Sequence, residues 1–307
     1  MKLSSLLPGC LFAFVIVGCG RGEGPSPTRG TVTIECDESV WPVMKHEAEE
    51  FHRSYPDANV NLRSVEAREA IADFVNDSVR VIVSGRALNT EEREALTHAK
   101  VVFDEYKVAL DAVAVIVHGN NPHTQIRISE LDSIFSGVIT RWSGRMKNAL
   151  IDVAIGDINS STNEVFRTKI LNNRRFTLAA TSFPSSEKLM EYVKATPTAI
   201  GIVGLSWLKG ADPLVTKVAL GDPKSRPDST QPVGKYYTPV QAYVHLNYYP
   251  LTKPIYIYTR EVVRHVGIGF ISFVNSGPGQ KIFLNDGLVP VTMPVRIVEL
   301  TSHQVKI

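Results

Sequence analysis

The sequence lacks the short motifs that carry much of hydrolytic and cofactor chemistry. It contains no Gly-x-Ser-x-Gly nucleophile elbow and no glycine-rich phosphate loop of the Walker or dinucleotide type. Its eight histidines are scattered, and His118 and His123 flank a turn with no cysteine or carboxylate pair nearby to complete a metal site. These absences predict a protein that is not an enzyme and that uses no metal ion or cofactor.

An excess of charge of one sign is also missing. The formal net charge is +2 and the chain has no run of Lys and Arg, so binding to nucleic acid is not expected. The content of 44% hydrophobic and 21% charged residues is ordinary for a globular protein. After Cys19, no apolar run is long enough to span a membrane.

The first 18 residues have the pattern of a signal peptide. Lys2 precedes an apolar stretch over residues 6–17, which is shorter than the roughly 20 residues that a membrane-spanning helix needs. Residues 16–19, Ile-Val-Gly-Cys, resemble a bacterial lipobox, in which the cysteine is acylated and becomes the first residue of the mature chain. We therefore expect a signal peptide over residues 1–18 and an extracytoplasmic lipoprotein anchored to the membrane through Cys19. The alternative is a plain secretory signal that contains a chance cysteine.

The segment that follows is suited to be a tether. Glycine and proline dominate residues 20–30 and none of these residues is apolar enough to pack, so residues 19–30 are expected to form a lipidated, flexible linker. With Cys10 removed and Cys19 acylated, Cys36 has no partner for a disulfide. Because Cys36 follows an apolar strand, a buried and inert thiol is favoured over a reactive one.

Short β-rich runs alternate with amphipathic helical patterns along the remaining, roughly 275, residues, which predicts an α/β fold with largely parallel sheets. The predicted strands lie at residues 31–34, 60–62, 79–83, 108–117, 151–155, 199–203 and 256–258. Predicted helices include one with Trp41, Met44, Ala48, Phe51 and Tyr55 on one face, one over residues 128–135, one opened by Ser161 with Glu164 at capping-box spacing, one over 186–193, and one with Val262, Val266, Phe270 and Phe273 on one face. Residues 277–279, Gly-Pro-Gly, are expected to break this last helix before a short one over 280–284.

Three predicted strand-to-helix turns carry small hydroxyl residues. The carboxyl ends of parallel strands place helix N-termini, with their free N–H groups and partial positive charge, at one edge of the sheet. Such turns are suited to bind an anion, although serine and threonine also cap helices without binding anything. The candidate ligands in these turns are Ser39, Ser84, Arg86, Ser160, Ser161 and Thr162.

Several segments resemble the phosphate-type substrate-binding proteins of ABC transporters, within the two-lobed periplasmic-binding-protein folds. The similarity extends over nearly all of the mature chain. The segments that carry it are residues 84–88, 109–117, 131–142, 199–204, 249–258 and 270–282. Residues 131–142, with Ile-Phe-Ser-Gly at their centre and Trp142 at their end, are the most specific of these.

The resemblance implies a type II fold of two lobes, each a mixed sheet flanked by helices, joined by two crossing strands that act as a hinge. Lobe I would comprise residues 31–113 and 250–307, and lobe II residues 114–249. It further implies a monomer that binds phosphate or a related oxyanion between the lobes and delivers it to an ABC transporter permease. Hydroxyls of Ser39, Ser84, Ser160, Ser161 and Thr162 would donate to the oxyanion, and Arg86 would balance its charge.

An acidic residue in such a site can accept a hydrogen bond from a protonated phosphate, which sulfate cannot donate. Asp111, inside an apolar strand at the expected first crossing, is the candidate for this role, with a structural aspartate that caps a turn as the alternative. The ligand loops depart from the family pattern: Asp37 and Glu38 lie in the first loop, where the family has small residues, and Asp157 lies in a third loop that is one residue shorter than the family's and lacks its arginine. These carboxylates leave open a second hypothesis, a lipid-anchored sensor or scavenging protein of the same fold with a different ligand.

Overall fold

The computed structural model describes residues 26–210, 212–221, 235–261 and 265–292; the predicted signal peptide and Cys19 lie outside these ranges. The described residues form nine α-helices: α1 Trp41–Ser54, α2 Ala67–Val75, α3 Thr90–His98, α4 Ile128–Phe135, α5 Ser161–Lys169, α6 Ser186–Ala195, α7 Gln241–His245, α8 Val266–Val274 and α9 Gly277–Asn285. They also form twelve strands: β1 Gly30–Asp37, β2 Ala58–Val65, β3 Val81–Ser84, β4 Asp104–His118, β5 Gln125–Arg127, β6 Asp152–Ile155, β7 Thr181–Ser182, β8 Ala199–Gly204, β9 Val215–Lys217, β10 Ala219–Gly221, β11 Thr252–Thr259 and β12 Val289–Pro290.

Ten of these strands join one mixed sheet in the order β2-β1-β3-β11-β4-β8-β6-β7, with β12 and β9 also paired to β4. The pairs of β1 with β2 and β3, and of β6 with β7 and β8, are parallel, as the alternating pattern predicts. The central pairs of β11 with β3 and β4, and of β4 with β8, are antiparallel. The two-lobed mixed α/β class is thereby confirmed, but the middle of the sheet is not parallel.

The long strand β4 changes partners midway. Its first part, up to Ala112, pairs with β11, and its second part, from Val113, pairs with β8. Every residue from Ala112 to His118 is buried, which explains why this run reads as almost continuously apolar in the sequence. One strand therefore belongs to both halves of the sheet, and the change occurs beside Asp111.

Helix α1 packs with α8 against the first half of the sheet. The ring of Phe51 lies 5.6 Å from the rings of both Phe270 and Phe273 in edge contacts. Met44 and Phe51 are fully buried, as their helical spacing predicts. Cys36, also fully buried, is a free thiol, and burial raises its pKa well above the usual range, so the thiol is held in its unreactive form.

The Gly-Pro-Gly segment at residues 277–279 is not a break between helices as the sequence indicated. It forms the first turn of α9, with Pro278 in the opening positions. Proline fits there because the first helical N–H groups have no intrahelical acceptor in any case. Gly279 is needed for packing, since a Cβ atom at this position would lie 2.4 Å from the carbonyl oxygen of Phe273.

A buried carboxyl group in α1 should make stability depend on pH. Glu47 is fully buried, and neither of its carboxyl oxygens has a hydrogen-bond partner among the described residues. Burial, reinforced by Asp286 and Glu50, raises the pKa of Glu47 to about 10. The folded protein therefore keeps a proton that the unfolded chain releases above the ordinary pKa of about 4.5.

We predict that the Glu47→Gln variant gains stability relative to the parent protein as pH rises. The contribution of protonated Glu47 to the free energy of unfolding is fully present below about pH 4.5. It falls by up to about 1.4 kcal/mol per pH unit as the pH rises from there to the pKa of Glu47 in the folded protein. Urea unfolding of both proteins at pH 5, 7 and 9 measures the difference. A difference in unfolding free energy that stays constant across this range would contradict a proton on Glu47.

Candidate functional site

The first hydroxyl loop begins where β1 ends. The Asp37 carboxylate accepts hydrogen bonds from the backbone N–H of Ser39 at 3.0 Å and of Gly85 at 2.7 Å. Gly85 follows β3, the parallel neighbour of β1, so one carboxylate ties together the ends of two strands. Residues Glu38–Val40 form a short 3-10 helix, which turns the buried Ser39 hydroxyl toward the other half of the molecule.

The third hydroxyl loop lies at the start of α5. Here the N-cap is Ser160, whose hydroxyl accepts from the backbone N–H of Asn163 at 3.2 Å; the assignment of this capping role to Ser161 was wrong by one residue. Ser160 adopts the extended backbone typical of a cap, whereas Ser161 is already helical. The shift matters because it frees the hydroxyl of Ser161 for a contact outside the helix.

These two loops meet directly. The hydroxyls of Ser39 and Ser161, 122 positions apart in the chain, lie 2.8 Å from each other. The ammonium group of Lys253 donates to the Ser39 hydroxyl at 2.7 Å and lies 3.2 Å from the carboxylate of Asp111. A buried chain of polar contacts thus runs from β4 through β11 to both loops, and we call these four residues the Ser39 cluster.

Lys253 is not among the residues that the sequence pattern indicates. It is fully buried and stands directly opposite Asp111 in the antiparallel pair of β11 with β4. Burial raises the pKa of Asp111, and the ammonium group of Lys253 opposes that rise. A charged residue inside a predicted crossing strand is the same signal that identified Asp111, and it could have identified Lys253.

Gly85 marks the centre of the cluster. A Cβ atom at this position would lie 2.7 Å from the Lys253 ammonium, 2.7 Å from the Ser161 hydroxyl and 2.8 Å from the Asp37 carboxylate. All of these are closer than real contacts of a Cβ atom, so only glycine lets the end of β3 approach the three polar groups.

Ser84 and Arg86 flank Gly85, but their side chains make their contacts outside the Ser39 cluster. Ser84 is buried, and its hydroxyl faces the backbone N–H of Arg86 at 3.4 Å. Arg86 forms two hydrogen bonds with the Glu92 carboxylate, at 2.8 and 2.6 Å, and lies 3.1 Å from Glu164. Burial lowers the pKa of Arg86, but these carboxylates raise it above its ordinary value. Its guanidinium is therefore already paired, and in this conformation it does not form the expected fork toward a ligand.

Thr162 has a buried hydroxyl without a hydrogen-bond partner in the described ranges. It lines, with Ser160, a cavity of about 10 Å³ that also touches Glu38, Glu66 and Asp157. Such a volume holds about one water molecule. A tetrahedral anion could therefore reach Ser39, Ser161 and Thr162 together only if the loops separate.

Further hydrogen bonds hold the first loop in place. The Glu38 carboxylate accepts from the backbone N–H and the hydroxyl of Ser186, each at 2.8 Å, at the start of α6. The carbonyl oxygen of Glu38 accepts from the Trp207 indole at 2.9 Å, and that of Ser39 accepts from the Ser206 hydroxyl at 2.8 Å. A carboxylate at a helix N-terminus is favourable, so Glu38 itself occupies an anion-binding position.

Carboxyl groups outnumber cations around this small cavity. Burial raises the pKa of Glu38, and burial together with the neighbouring Asp37, Glu38 and Asp157 raises the pKa of Glu66 to about 8. Glu66 therefore stays largely protonated near neutral pH and can donate a hydrogen bond. Protonation reduces, without removing, the repulsion that an incoming anion would meet.

Comparison with known proteins places this geometry in a family. The profile of the PBP superfamily domain matches residues 21–277. The chain belongs to the PBP superfamily. Protein SphX of Synechococcus elongatus is 25% identical over 276 residues, covering 87% of this chain and 79% of that protein. The phosphate-binding protein PstS of Staphylococcus saprophyticus is 22% identical over 268 residues, covering 85% of this chain and 81% of the relative.

Solved structures share the fold. A candidate phosphate ABC transporter substrate-binding protein from Clostridium perfringens, solved with bound phosphate, aligns with a TM-score of 0.73 at 24% identity, over 85% of this chain and all of that one. An ABC-type phosphate transport receptor from Vibrio cholerae aligns with a TM-score of 0.65 at 18% identity, covering 85% and 100% of the two chains. The resemblance found in the sequence motifs is confirmed at the level of family and fold.

Two negative findings apply to the described ranges alone. None of their helices is long and apolar enough to cross a membrane. Nor do they hold a group of three or more His, Cys, Asp or Glu side chains arranged to bind a metal ion.

The ion pair of Lys253 and Asp111 should be strongly coupled in stability. We predict that Lys253→Met lowers the free energy of unfolding by about 3–5 kcal/mol, because it leaves a buried carboxylate without its cation. Adding Asp111→Asn should recover part of this loss, since the remaining group is then neutral. A double-mutant cycle by urea unfolding measures the coupling, and additive effects of the two substitutions would contradict it.

Proposed function

We propose that this protein is an extracytoplasmic substrate-binding protein that captures phosphate, or a related oxyanion, between two lobes and delivers it to an ABC transporter permease. The observation that carries the proposal is the direct meeting of Ser39 and Ser161, with Lys253 and the end of β3 beside them. Two hydroxyls, an ammonium and helix N–H groups converge from separate loops, which is the donor set that an oxyanion requires. The relatives named for phosphate binding support the same ligand.

In this proposal the lobes are residues 31–113 with 250–307, and residues 114–249. The change of β4 partners between Ala112 and Val113 supports the first boundary. Opening about this point would separate the Ser39 and Ser161 hydroxyls and admit a ligand. Ser39, Ser161 and Thr162 then donate to the oxyanion, and Lys253 balances its charge. Asp111 accepts the hydrogen bond that a protonated oxyanion donates. Ser84 and Ser160 support the loops, and Arg86 contributes if its pairing with Glu92 relaxes.

The Ser161→Ala variant tests the proposed ligand. Isothermal titration of the parent protein should show phosphate binding in the micromolar range. Sulfate should bind more weakly, because it carries no proton with which to donate a hydrogen bond to a buried carboxylate. Ser161→Ala should weaken phosphate binding by about tenfold or more, since it removes a buried hydrogen-bond donor. Ser272→Ala is the matched control, because Ser272 is exposed on α8 and bonds only to its own helix. Absence of phosphate binding by the parent protein would refute the proposal.

The carboxylates support a second candidate, a lipid-anchored sensor or scavenging protein of the same fold with a different ligand. Glu38, Glu66 and Asp157 line the small cavity, with Asp37 next to Glu38 in the chain, and Glu38 already fills the start of α6. If the titration shows no phosphate or arsenate binding while the fold is intact by circular dichroism, this candidate takes precedence. We propose no enzymatic activity for either case, and a monomer in both.

The membrane anchor is part of the proposal. The signal peptide over residues 1–18 and acylation of Cys19 rest on the lipobox pattern. The expected tether over residues 19–30 is shorter in the structure, because Ser26 and Arg29 form a hydrogen-bonded turn and Gly30 begins β1; the residues before this turn would let the folded body move relative to the membrane. We predict that Cys19→Ala shifts the protein from the membrane fraction to the soluble extracytoplasmic fraction or leaves the signal uncut. Mass spectrometry of the mature N-terminus reads out the acyl chains, and an unmodified Cys19 in the parent protein would contradict the anchor.

A further inference from the structure

A second groove lies apart from the Ser39 cluster, between α2, α5 and the segment that follows residue 174. Its volume is about 370 Å³, within the range of sites that bind small molecules. No member of the Ser39 cluster lines it. Its occupant can therefore be considered independently of a ligand held by Ser39 and Ser161.

The walls of this groove are mainly apolar. Ile155 forms a buried part of the wall, and Phe176, which stacks on Phe166 at 5.8 Å, forms a half-buried part. At the rim, Leu178 is 100% and Ile158 70% exposed. These large apolar side chains are exposed to water on two sides of the groove. A flat apolar molecule that covered them would be stabilised by the burial of apolar surface.

The charged groups around the groove favour an anion. Three arginines line it, Arg68, Arg167 and Arg175, against one carboxylate, Glu164. Glu164 is already shared between Arg68 at 3.3 Å and Arg86 at 3.1 Å. Across the described part of the chain, neither Arg167 nor Arg175 forms an ion pair with an acidic side chain.

Two buried polar atoms in the lining lack partners. Asn163 is 2% exposed, and its side-chain oxygen accepts no hydrogen bond from any described residue. The Nε–H of Arg167 likewise finds no hydrogen-bond acceptor among the described residues. A buried donor and acceptor without partners are costly, and both atoms belong to residues that line the groove beside its apolar walls.

We propose that this groove is a second ligand site, for a small aromatic anion such as a hydroxylated aromatic acid. The anionic group would bind to Arg167 and Arg175, the ring would cover Ile158, Phe176 and Leu178, and a hydroxyl would donate to Asn163. Arginine suits this task because its planar guanidinium pairs with a carboxylate and packs on an aromatic face. Since Arg68 lies on α2 and Arg167 on α5, a bound molecule would touch both helices.

The purified full-length protein is titrated with 4-hydroxybenzoate, benzoate and benzamide, and binding is measured by calorimetry or ligand-observed NMR. We expect 4-hydroxybenzoate to bind most tightly and benzamide, the uncharged isostere of benzoate, to bind most weakly. Arg175→Gln should weaken binding of 4-hydroxybenzoate by about tenfold. Arg174→Gln is the matched control, because the neighbouring Arg174 pairs with Asp132 and does not line the groove.

The site is refuted if 4-hydroxybenzoate does not bind, if benzamide binds as well as benzoate, or if Arg175→Gln and Arg174→Gln have equal effects. Inorganic phosphate distinguishes the groove from the Ser39 cluster, since an excess of it should leave 4-hydroxybenzoate bound, and displacement would place both ligands in one site. Ser161→Ala should leave binding of the aromatic anion unchanged. The two titrations therefore distinguish a failure of the proposed phosphate site from a failure of the proposed groove site.

Discussion

A single buried ion pair connects the framework of this protein to its candidate site. Lys253 and Asp111 lie opposite each other on β11 and β4, just before β4 changes partners. Both side chains are fully removed from water, an arrangement that costs free energy unless each charge finds further polar partners. Lys253 finds one in the Ser39 hydroxyl, and Asp111 finds another in the backbone N–H of Ala112. The polar centre of the site is thus a continuation of the centre of the sheet.

The first loop combines two opposing requirements. Its carboxylates organise the backbone, since Asp37 ties β1 to β3 and Glu38 holds the start of α6. The same carboxylates would repel an anion that approaches the Ser39 cluster. Protonation of Glu66, and the engagement of Asp37 and Glu38 in hydrogen bonds to N–H groups, spreads and reduces that negative charge. A binding site built in this way should discriminate between anions by their protons as much as by their shape.

The apolar groove beside α5 differs in chemistry from the Ser39 cluster. The Ser39 cluster is buried and polar, whereas the groove is mainly apolar and lined by arginines. Helix α5 contributes to both, with Ser161 at its start in the cluster and Asn163 and Arg167 in the lining of the groove.

The sequence by itself determined the α/β class, most elements and the family, because apolar periodicity and local motifs depend on near neighbours in the chain. It placed β1, α4, α6 and β8 closely, and it brought Ser39, Ser161 and Asp111 into one hypothesis. It could not indicate that Ser160 rather than Ser161 caps α5, since both residues can cap. Nor could it reveal that Glu92 pairs with Arg86, or that Lys253 faces Asp111. Strand register and contacts across 100 or more positions in the chain bring Lys253 to Asp111 and Ser39 to Ser161. Arg86 and Glu92 are only six positions apart, but for them too only the tertiary structure decides which charges share a buried space.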